Sequence, residues 1–367
     1  MRIVQVLPSL SGGDAIGNDV MALKSVIRER GYETGIYAEG IAPNVPDGMA
    51  RHISELPTLD AQDIIILHVA IASDLNEWIK KQPCRKVMVY HNITPPVFFR
   101  GYNEDAAASC GKGLMETRSL KDTFDVVLAV SGYNRQDLTN MGYTCPMHVL
   151  PILIPLDDYK KAPAERIMRK YKGDGLTNII FVGRIAPNKK QEDVIRAFAE
   201  YQKYFNPASR LFLVGNPGGF ESYERQLRDY ARAIGVRNVI FTGHIKFDEI
   251  LACYRLADLF LCQSEHEGFC VPLVEAMSFG IPVVAYDSSA IAETLGGSGF
   301  LLKEKAPAET AAVMHRILTD PELRQAILAN EQERLADFQY EKVRETFWEY
   351  MNRLIVQNRN NRDGKGD

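Results

Sequence analysis

Long apolar runs, clustered cysteines and a large net charge are all missing from this 367-residue chain. No hydrophobic stretch approaches the roughly 18 residues of a spanning helix. Met1 and Arg2 lead straight into IVQVLP, too short for a signal h-region, so the expectation is a cytoplasmic protein. A formal charge of −4 argues against a general nucleic-acid binder. The six cysteines, Cys84, Cys110, Cys145, Cys253, Cys262 and Cys270, are scattered without a Cys-x-x-Cys pair, which reads as reduced thiols and no zinc site. The Gly-x-Gly-x-x-Gly spacing is missing too, and no acidic residue ends the second strand. A nicotinamide enzyme is therefore disfavoured.

What remains is ordinary globular composition, 46% hydrophobic and 25% charged, in a chain long enough for about two domains. Strand-like apolar runs alternate with helix-length segments from end to end: RIVQVLP, TGIYA, DIIILHV, KVMVYH, DVVLAV and HVLPI, then NIIFVG, RLFLVG, NVIFTG, DLFLC and PVVAY. Such alternation specifies parallel sheets with crossover helices. These strands exceed one ordinary open sheet, and the proline-spotted stretch at 151–165 is the natural break. The expected domains are 1–155 with a returning helix at 340–356, and 156–339. The terminal 357–367 reads as disordered.

Two glutamates, Glu267 and Glu275, lie eight positions apart in a strand, loop, helix, strand run. ADLFLCQ is a strand, Pro272 suits a helix's opening, and Gly280 with Pro282 supplies the stop. Glu267 thus falls in the loop beyond a strand's carboxyl end, and Glu275 about one turn into the helix whose free N–H groups face the same crevice. Unpaired donors suit a phosphate and flanking carboxylates suit sugar hydroxyls, which describes a nucleotide-sugar pocket. A capped βαβ unit with acids that merely complement the helix dipole is the plainer alternative. Arg184 follows Gly183 at another strand end, with Lys189 and Lys190 opening the next helix; this group can hold a diphosphate and stabilise its departing charge. The alternative there is a solvated basic turn.

In the first half, Gly12, Gly13 and Gly17 lie between strand and helix, where backbone can approach a ligand. His91 ends KVMVYH before a rigid turn, placed either to donate to a sugar oxygen or as a satisfied turn histidine. His68 and Ser131 occupy similar strand ends with weaker cases. His244, His266 and the pair Asp157 and Asp158 read as structural.

Gly183 and Arg184 with Lys189, the Phe241 to Ile245 stretch, Ser264, the Glu267 to Glu275 spacing with Gly268, Phe269, Ala276 and Met277, and the Gly12 and Gly13 loop together resemble glycosyltransferase family 4 over nearly the whole chain. The resemblance implies the α/β GT-B fold, two facing Rossmann-like domains with parallel sheets and a C-terminal helix crossing back. It also implies a retaining enzyme that moves a hexose from a UDP- or GDP-sugar without metal or cofactor. Arg184 and Lys189 would hold the diphosphate, with Gly13 approaching from the first domain. Glu275 would accept from the ribose, Glu267 would contact the donor sugar, and Ile245 would lie by the base. Amides at Gly268, Phe269 and Cys270 would meet sugar or phosphate, and His91 the reacting sugar. The family usually has glycine at Cys270 and at Lys190, which leaves open which lysine reaches the phosphate.

The implied acceptor is a glycan or lipid-linked saccharide in bacterial O-antigen, capsule or exopolysaccharide assembly. Lys24, Arg28, Arg30, Lys80, Lys81, Arg85 and Lys86 are candidates for peripheral contact with the anionic inner face of the membrane. The rival readings are a glycosidase using Glu267 and Glu275, and a catalytically silent GT-B partner or sugar-binding subunit.

Overall fold

The computed structural model describes residues 1–363, with side chains described through Val356. The chain divides into two compact units, each built on one all-parallel sheet. Unit 1 comprises Met1–Pro95, Ala108–Pro155 and Asp337–Asp367; unit 2 comprises Pro96–Ala107 and Leu156–Ala336.

Unit 1 carries β1 (Ile3–Leu10), β2 (Ile36–Ile41), β3 (Arg51–His52), β4 (Ile64–Val69), β5 (Arg85–Tyr90), β6 (Val126–Ala129) and β7 (Met147–Val149), in the order β3-β2-β1-β4-β5-β6-β7. Unit 2 carries β8 (Thr177–Val182), β9 (Ser209–Val214), β10 (Val239–Phe241), β11 (Leu259–Cys262), β12 (Val283–Tyr286) and β13 (Phe300–Leu302), in the order β10-β9-β8-β11-β12-β13. Strand order reverses direction between β1 and β4 and again between β8 and β11. Loops leaving those strands therefore diverge to opposite faces and open a crevice at the carboxyl edge of each sheet.

The central strands are buried on both faces and read as continuous Val, Ile and Leu runs, as crossover helices on both sides require. The helix Ala15–Glu29 shows how local sequence sets such a crossover. Asp14 caps it by accepting from the Gly17 amide, Val20, Leu23, Val26 and Ile27 form its buried stripe, and Gly31 at φ 79° follows its end.

Three features depart from the sequence reading. Strands β3 and β13 were not anticipated, being two and three residues long with exposed positions and no alternating pattern. The segment Pro96–Ala107 belongs to unit 2 although both flanking stretches belong to unit 1. Aromatic packing explains this: Phe99 meets Phe220 at 4.8 Å, Tyr102 meets Tyr223 edge-on at 5.3 Å, and Asn103 donates to the Gly219 carbonyl at 2.8 Å. The last helix runs Tyr340–Asp363, so 357–363, expected to be disordered, continue it; residues 364–367 lie outside the described residues. That helix packs within unit 1, where Tyr350 stacks on His148 at 4.1 Å and Trp348 lies under the Arg30 guanidinium at 4.5 Å.

One buried acid makes unit 2 sensitive to pH. Glu331 is 1% exposed, its Oε1 accepts from the Val283 amide at 2.8 Å, and its Oε2 has no partner among the described residues. Burial pushes its carboxyl up to about 8 from an ordinary 4.5. Between those values the native state binds a proton that the unfolded chain has lost, so stability falls as pH rises through that window. Glu331→Gln is expected to abolish this decline, leaving the variant more stable than wild type at alkaline pH by on the order of a few kcal/mol. Urea denaturation at acidic and alkaline pH measures it.

Candidate functional site

The strongest side-chain constellation lies where β8 and β11 end. After β8, Gly183 takes φ 149°, and its carbonyl crowds Gly215, where an added Cβ would come within 2.0 Å. This close approach requires glycine at 215. The chain then buries Ile185, Ala186, Pro187 and Asn188 in a short turn, which delivers Lys189 to the crevice. After β11, the loop from Gln263 is held from several sides. Asn188 accepts from the Glu265 amide at 2.9 Å through its carbonyl and donates to the His266 carbonyl at 3.1 Å. Ser288 donates to the Ser264 carbonyl at 2.6 Å, and Ser289 accepts from the Glu267 amide at 2.8 Å. Ser264 itself is buried.

Between these loops Lys189 Nζ meets Glu267 Oε2 at 2.6 Å, with side chains 21% and 9% exposed. Burial works against the Lys189 charge, but the Glu267 carboxylate together with the nearby Cys270 and Cys262 sulfurs holds the ammonium above its ordinary value. Lys190 turns elsewhere. It occupies the left-handed region at φ 53°, ψ 47°, and its Nζ lies 3.5 Å from both Glu192 and Glu265. Thus the neighbouring lysines are divided, and Lys189 is the one beside Glu267. Arg184 is exposed, its guanidinium 5.3 Å from the Phe220 ring and 5.9 Å from Phe99.

Cys270 sits at φ 73°, ψ 64° and caps the helix Val271–Ser278, whose second residue is Pro272. A side chain in that region costs roughly 1–2 kcal/mol, which accounts for a glycine preference there. Its thiol does not face outward. Cys270 is buried and hydrogen-bonded to Cys262, which holds the Cys262 thiol below its ordinary value and drives that of Cys270 well above it. Burial of its thiol against Cys262 sets Cys270 apart from a cysteine at an open helix N-terminus. Phe269 is also buried, and its carbonyl accepts from Thr294 at 2.5 Å, leaving Gly268 half-exposed beside Glu267.

One turn into that helix, Glu275 is gripped by two hydroxyls that the sequence reading missed. Tyr159 donates to Oε1 and Tyr254 to Oε2, both at 2.5 Å. Burial raises the Glu275 carboxyl while the two phenols oppose the rise. Tyr159 comes from the stretch taken as a linker, and Tyr254 is a fully buried helix residue; neither position carries a local signal. Ile245 lies half-buried after β10, on the far side of β9 from β8 in the sheet order. His266 is buried against Phe98 at 5.9 Å, and burial lowers its imidazole to about 4.

In unit 1 the loop after β1 closes through a reciprocal pair. Gly12 N–H donates to Asn44 Oδ1 at 3.1 Å, and Asn44 Nδ2 donates back to Gly12 O at 2.6 Å. A Cβ at Gly12 would reach the Asn44 carbonyl at 2.7 Å, whereas Gly13, at φ 84°, opens onto free space. His91 follows β5 and is buried, with His68 of β4 against it. The basic residues considered for membrane contact are largely engaged: Lys24 donates to the Met49 carbonyl at 2.6 Å, Lys80 pairs with Glu77 and Arg85 with Asp125. No helix among the described residues is long and apolar enough to cross a membrane.

Side chains of metal-ligating type converge at two places among the described residues. Two groups, Asp19 with His68 and His91, and Cys262 with Glu267 and Cys270, each bring ligand atoms within 4.8 Å of one another. Their members come from different elements, Asp19 from the helix Ala15–Glu29 and the others from strands, loops and a helix cap, so no sequence spacing announces them.

Residues 164–334, all within unit 2, match the family model described as glycosyl transferases group 1. The GDP-mannose-dependent alpha-(1-6)-phosphatidylinositol monomannoside mannosyltransferase of Mycobacterium tuberculosis is 27% identical over 216 residues, 55% of each chain. The lipopolysaccharide 1,2-N-acetylglucosaminetransferase of Salmonella typhimurium is 27% identical over 205 residues, 53% of each. The chain therefore spans about half the length of the curated relatives it matches. Among solved structures, sucrose-phosphate synthase of Thermosynechococcus elongatus superposes with a TM-score of 0.75 at 17% identity, covering 97% of this chain and 100% of that one. HepE of Anabaena, solved with UDP and glucose, gives 0.73 at 17%, covering 96% and 100%. The fold is GT-B, as expected.

Two outcomes follow. Alkylation of the native protein is expected to modify the half-buried Cys145 first and to spare Cys270 until the chain unfolds, as mass spectrometry of digested protein reads directly. Tyr254→Phe leaves a half-buried carboxylate with one donor fewer and is expected to cost about 1–3 kcal/mol in urea unfolding; an unchanged midpoint would show that the hydroxyl does not support Glu275.

Proposed function

We infer that the protein is a retaining glycosyltransferase that moves a hexose from a UDP- or GDP-sugar to a glycan or lipid-linked acceptor in bacterial surface-polysaccharide assembly. The observation that carries this reading is the Lys189–Glu267 pair beside the helix Val271–Ser278, at the strand-order reversal of the unit that matches group 1 glycosyl transferases. A cation there suits the diphosphate, and the start of the helix adds partial positive charge. Arg184, exposed at the adjacent strand end, supplies a second cation for the departing phosphate. Lys189 and Glu267 neutralise each other at rest; a bound donor would take the ammonium with its phosphate and the carboxylate with its sugar. Glu275, oriented by Tyr159 and Tyr254, is the ribose acceptor in this reading. The same contacts disfavour a glycosidase, because one carboxylate is ion-paired and the other is held by two phenols. The named donors and pathways of the relatives, GDP-mannose and lipopolysaccharide, support the substrate class.

The roles separate by experiment. Glu275→Ala is expected to weaken UDP or GDP about tenfold or more in calorimetry, whereas Glu267→Gln is expected to impair transfer while nucleotide affinity stays within a few-fold. Equal losses in both variants would contradict the division. Transfer is also expected to persist in excess chelator after dialysis; loss restored by manganese or magnesium would overturn metal independence.

A further inference from the structure

Unit 1 contains a buried chain of side chains whose hydrogen bonds have a definite direction. Gln5 of β1 donates through Nε2 to the Val20 carbonyl at 3.0 Å. His68 Nε2 lies 2.9 Å from Gln5 Oε1, and His68 Nδ1 lies 2.9 Å from His91 Nε2. Parallel register brings them together: Gln5 pairs with Ile66, two residues before His68, and the His91 amide donates to the Val69 carbonyl. All three side chains are buried.

The direction follows from the Val20 end. A backbone carbonyl only accepts, so the Gln5 amide nitrogen faces Val20 and its oxygen faces His68. An amide oxygen only accepts, so His68 Nε2 carries the hydrogen. A neutral imidazole has one N–H, which leaves His68 Nδ1 as a lone pair, and the hydrogen between the rings belongs to His91 Nε2. His91 Nδ1 is then a lone pair as well. Both rings are buried, and among the described residues no carboxylate lies within hydrogen-bond distance of either, so neither holds a second proton. Asp19 does not compete for the shared hydrogen: its Oδ1 accepts from the Leu153 amide at 2.8 Å and its Oδ2 stays 4.0 Å from His91 Nε2. His91 Nδ1 is buried and has no partner among the described residues.

We propose that Gln5 and His68 are positioning residues that hold His91 as a hydrogen-bond acceptor at Nδ1, so that the substrate group met there is a hydroxyl donating its hydrogen. A sugar hydroxyl fits; a phosphate or carbonyl oxygen, which has no hydrogen to give, does not. This reverses the donor role that the sequence suggested for His91. The choice of a sugar hydroxyl rests on the glycosyltransferase reading, whereas the assignment of the ring hydrogens does not.

The test is two-bond 1H–15N spectroscopy of the full chain labelled with 15N-histidine, its ring signals assigned with His68→Asn and His91→Asn. His91 is expected to show a protonated Nε2 and a bare Nδ1. Gln5→Leu supplies the decisive variant. Without the amide oxygen nothing fixes the hydrogen on His68 Nε2, so His68 Nδ1–H can donate to His91 Nε2 and the His91 hydrogen can move to Nδ1. The expected result is a mixture of His91 tautomers, with transfer reduced about two- to tenfold, at most the worth of one hydrogen bond, and unchanged UDP or GDP affinity. If that variant does not fold, Gln5→Met is read in the same way. A native His91 protonated at Nδ1, or a tautomer mixture with unchanged transfer, would overturn the proposal. Stoichiometric zinc in the purified protein, lost in His68→Asn, would overturn it too, because the metal would occupy the same lone pairs. Absence of transfer from any UDP- or GDP-sugar, with the native tautomer and its loss in the variant both observed, would support the positioning chain and remove the transferase reading instead.

Discussion

A lysine and a glutamate cannot both be largely removed from water unless they meet, and the ends of β8 and β11 are organised around that requirement. Desolvation costs each ion several kcal/mol, which only a short contact with well-held partners offsets. Lys189 and Glu267 make that contact at 2.6 Å. Because β8 and β11 are neighbours in the sheet, a turn after one and a loop after the other suffice to bring the charges together. The loops are then pinned through Asn188, Ser288 and Ser289, so the pair is fixed by backbone as well as by charge.

Strain gathers in the same place. Among the described residues, the non-glycine positions with positive φ are Asn92, Lys190, Asn238, Cys270 and Ser289. Lys190 directly follows Lys189, Cys270 opens the helix beside Glu267, and Ser289 holds the Glu267 amide. Asn92 follows His91 in the other unit. Each such residue costs on the order of 1–3 kcal/mol, and surroundings that tolerate the cost tend to be functional ones. Here the cost secures backbone turns that bring Lys189, Glu267 and the first helix amides to one edge of the sheet.

Much of this was legible because it rests on local punctuation. Apolar runs bounded by glycine and proline reveal most strands, and a strand end followed by a helix start locates Gly183, Lys189, Glu267 and Glu275 on one edge. What escaped the sequence is what distance in the chain conceals. Tyr159 and Tyr254 reach Glu275 from 116 and 21 residues away. Gln5 looks like any polar residue inside a strand until parallel register sets it beside His68. The orientation of Cys270 was undetermined for a related reason: a thiol at a helix start can face solvent or core, and the partner that draws it inward, Cys262, lies on β11. The Pro96–Ala107 segment changed units because its aromatic rings found Phe220 and Tyr223, a preference that composition does not reveal.

The central claim is that Lys189 and Glu267 form a preorganised pair that a nucleoside diphosphate recruits. A double-mutant cycle over Lys189→Met and Glu267→Gln, read by urea unfolding without nucleotide and by calorimetric titration of UDP and GDP, addresses it most directly. The account predicts a coupling of at least about 1 kcal/mol in stability, and loss of nucleotide affinity in both variants that lack the lysine. Additive stability effects together with undiminished nucleotide binding in Lys189→Met would contradict it.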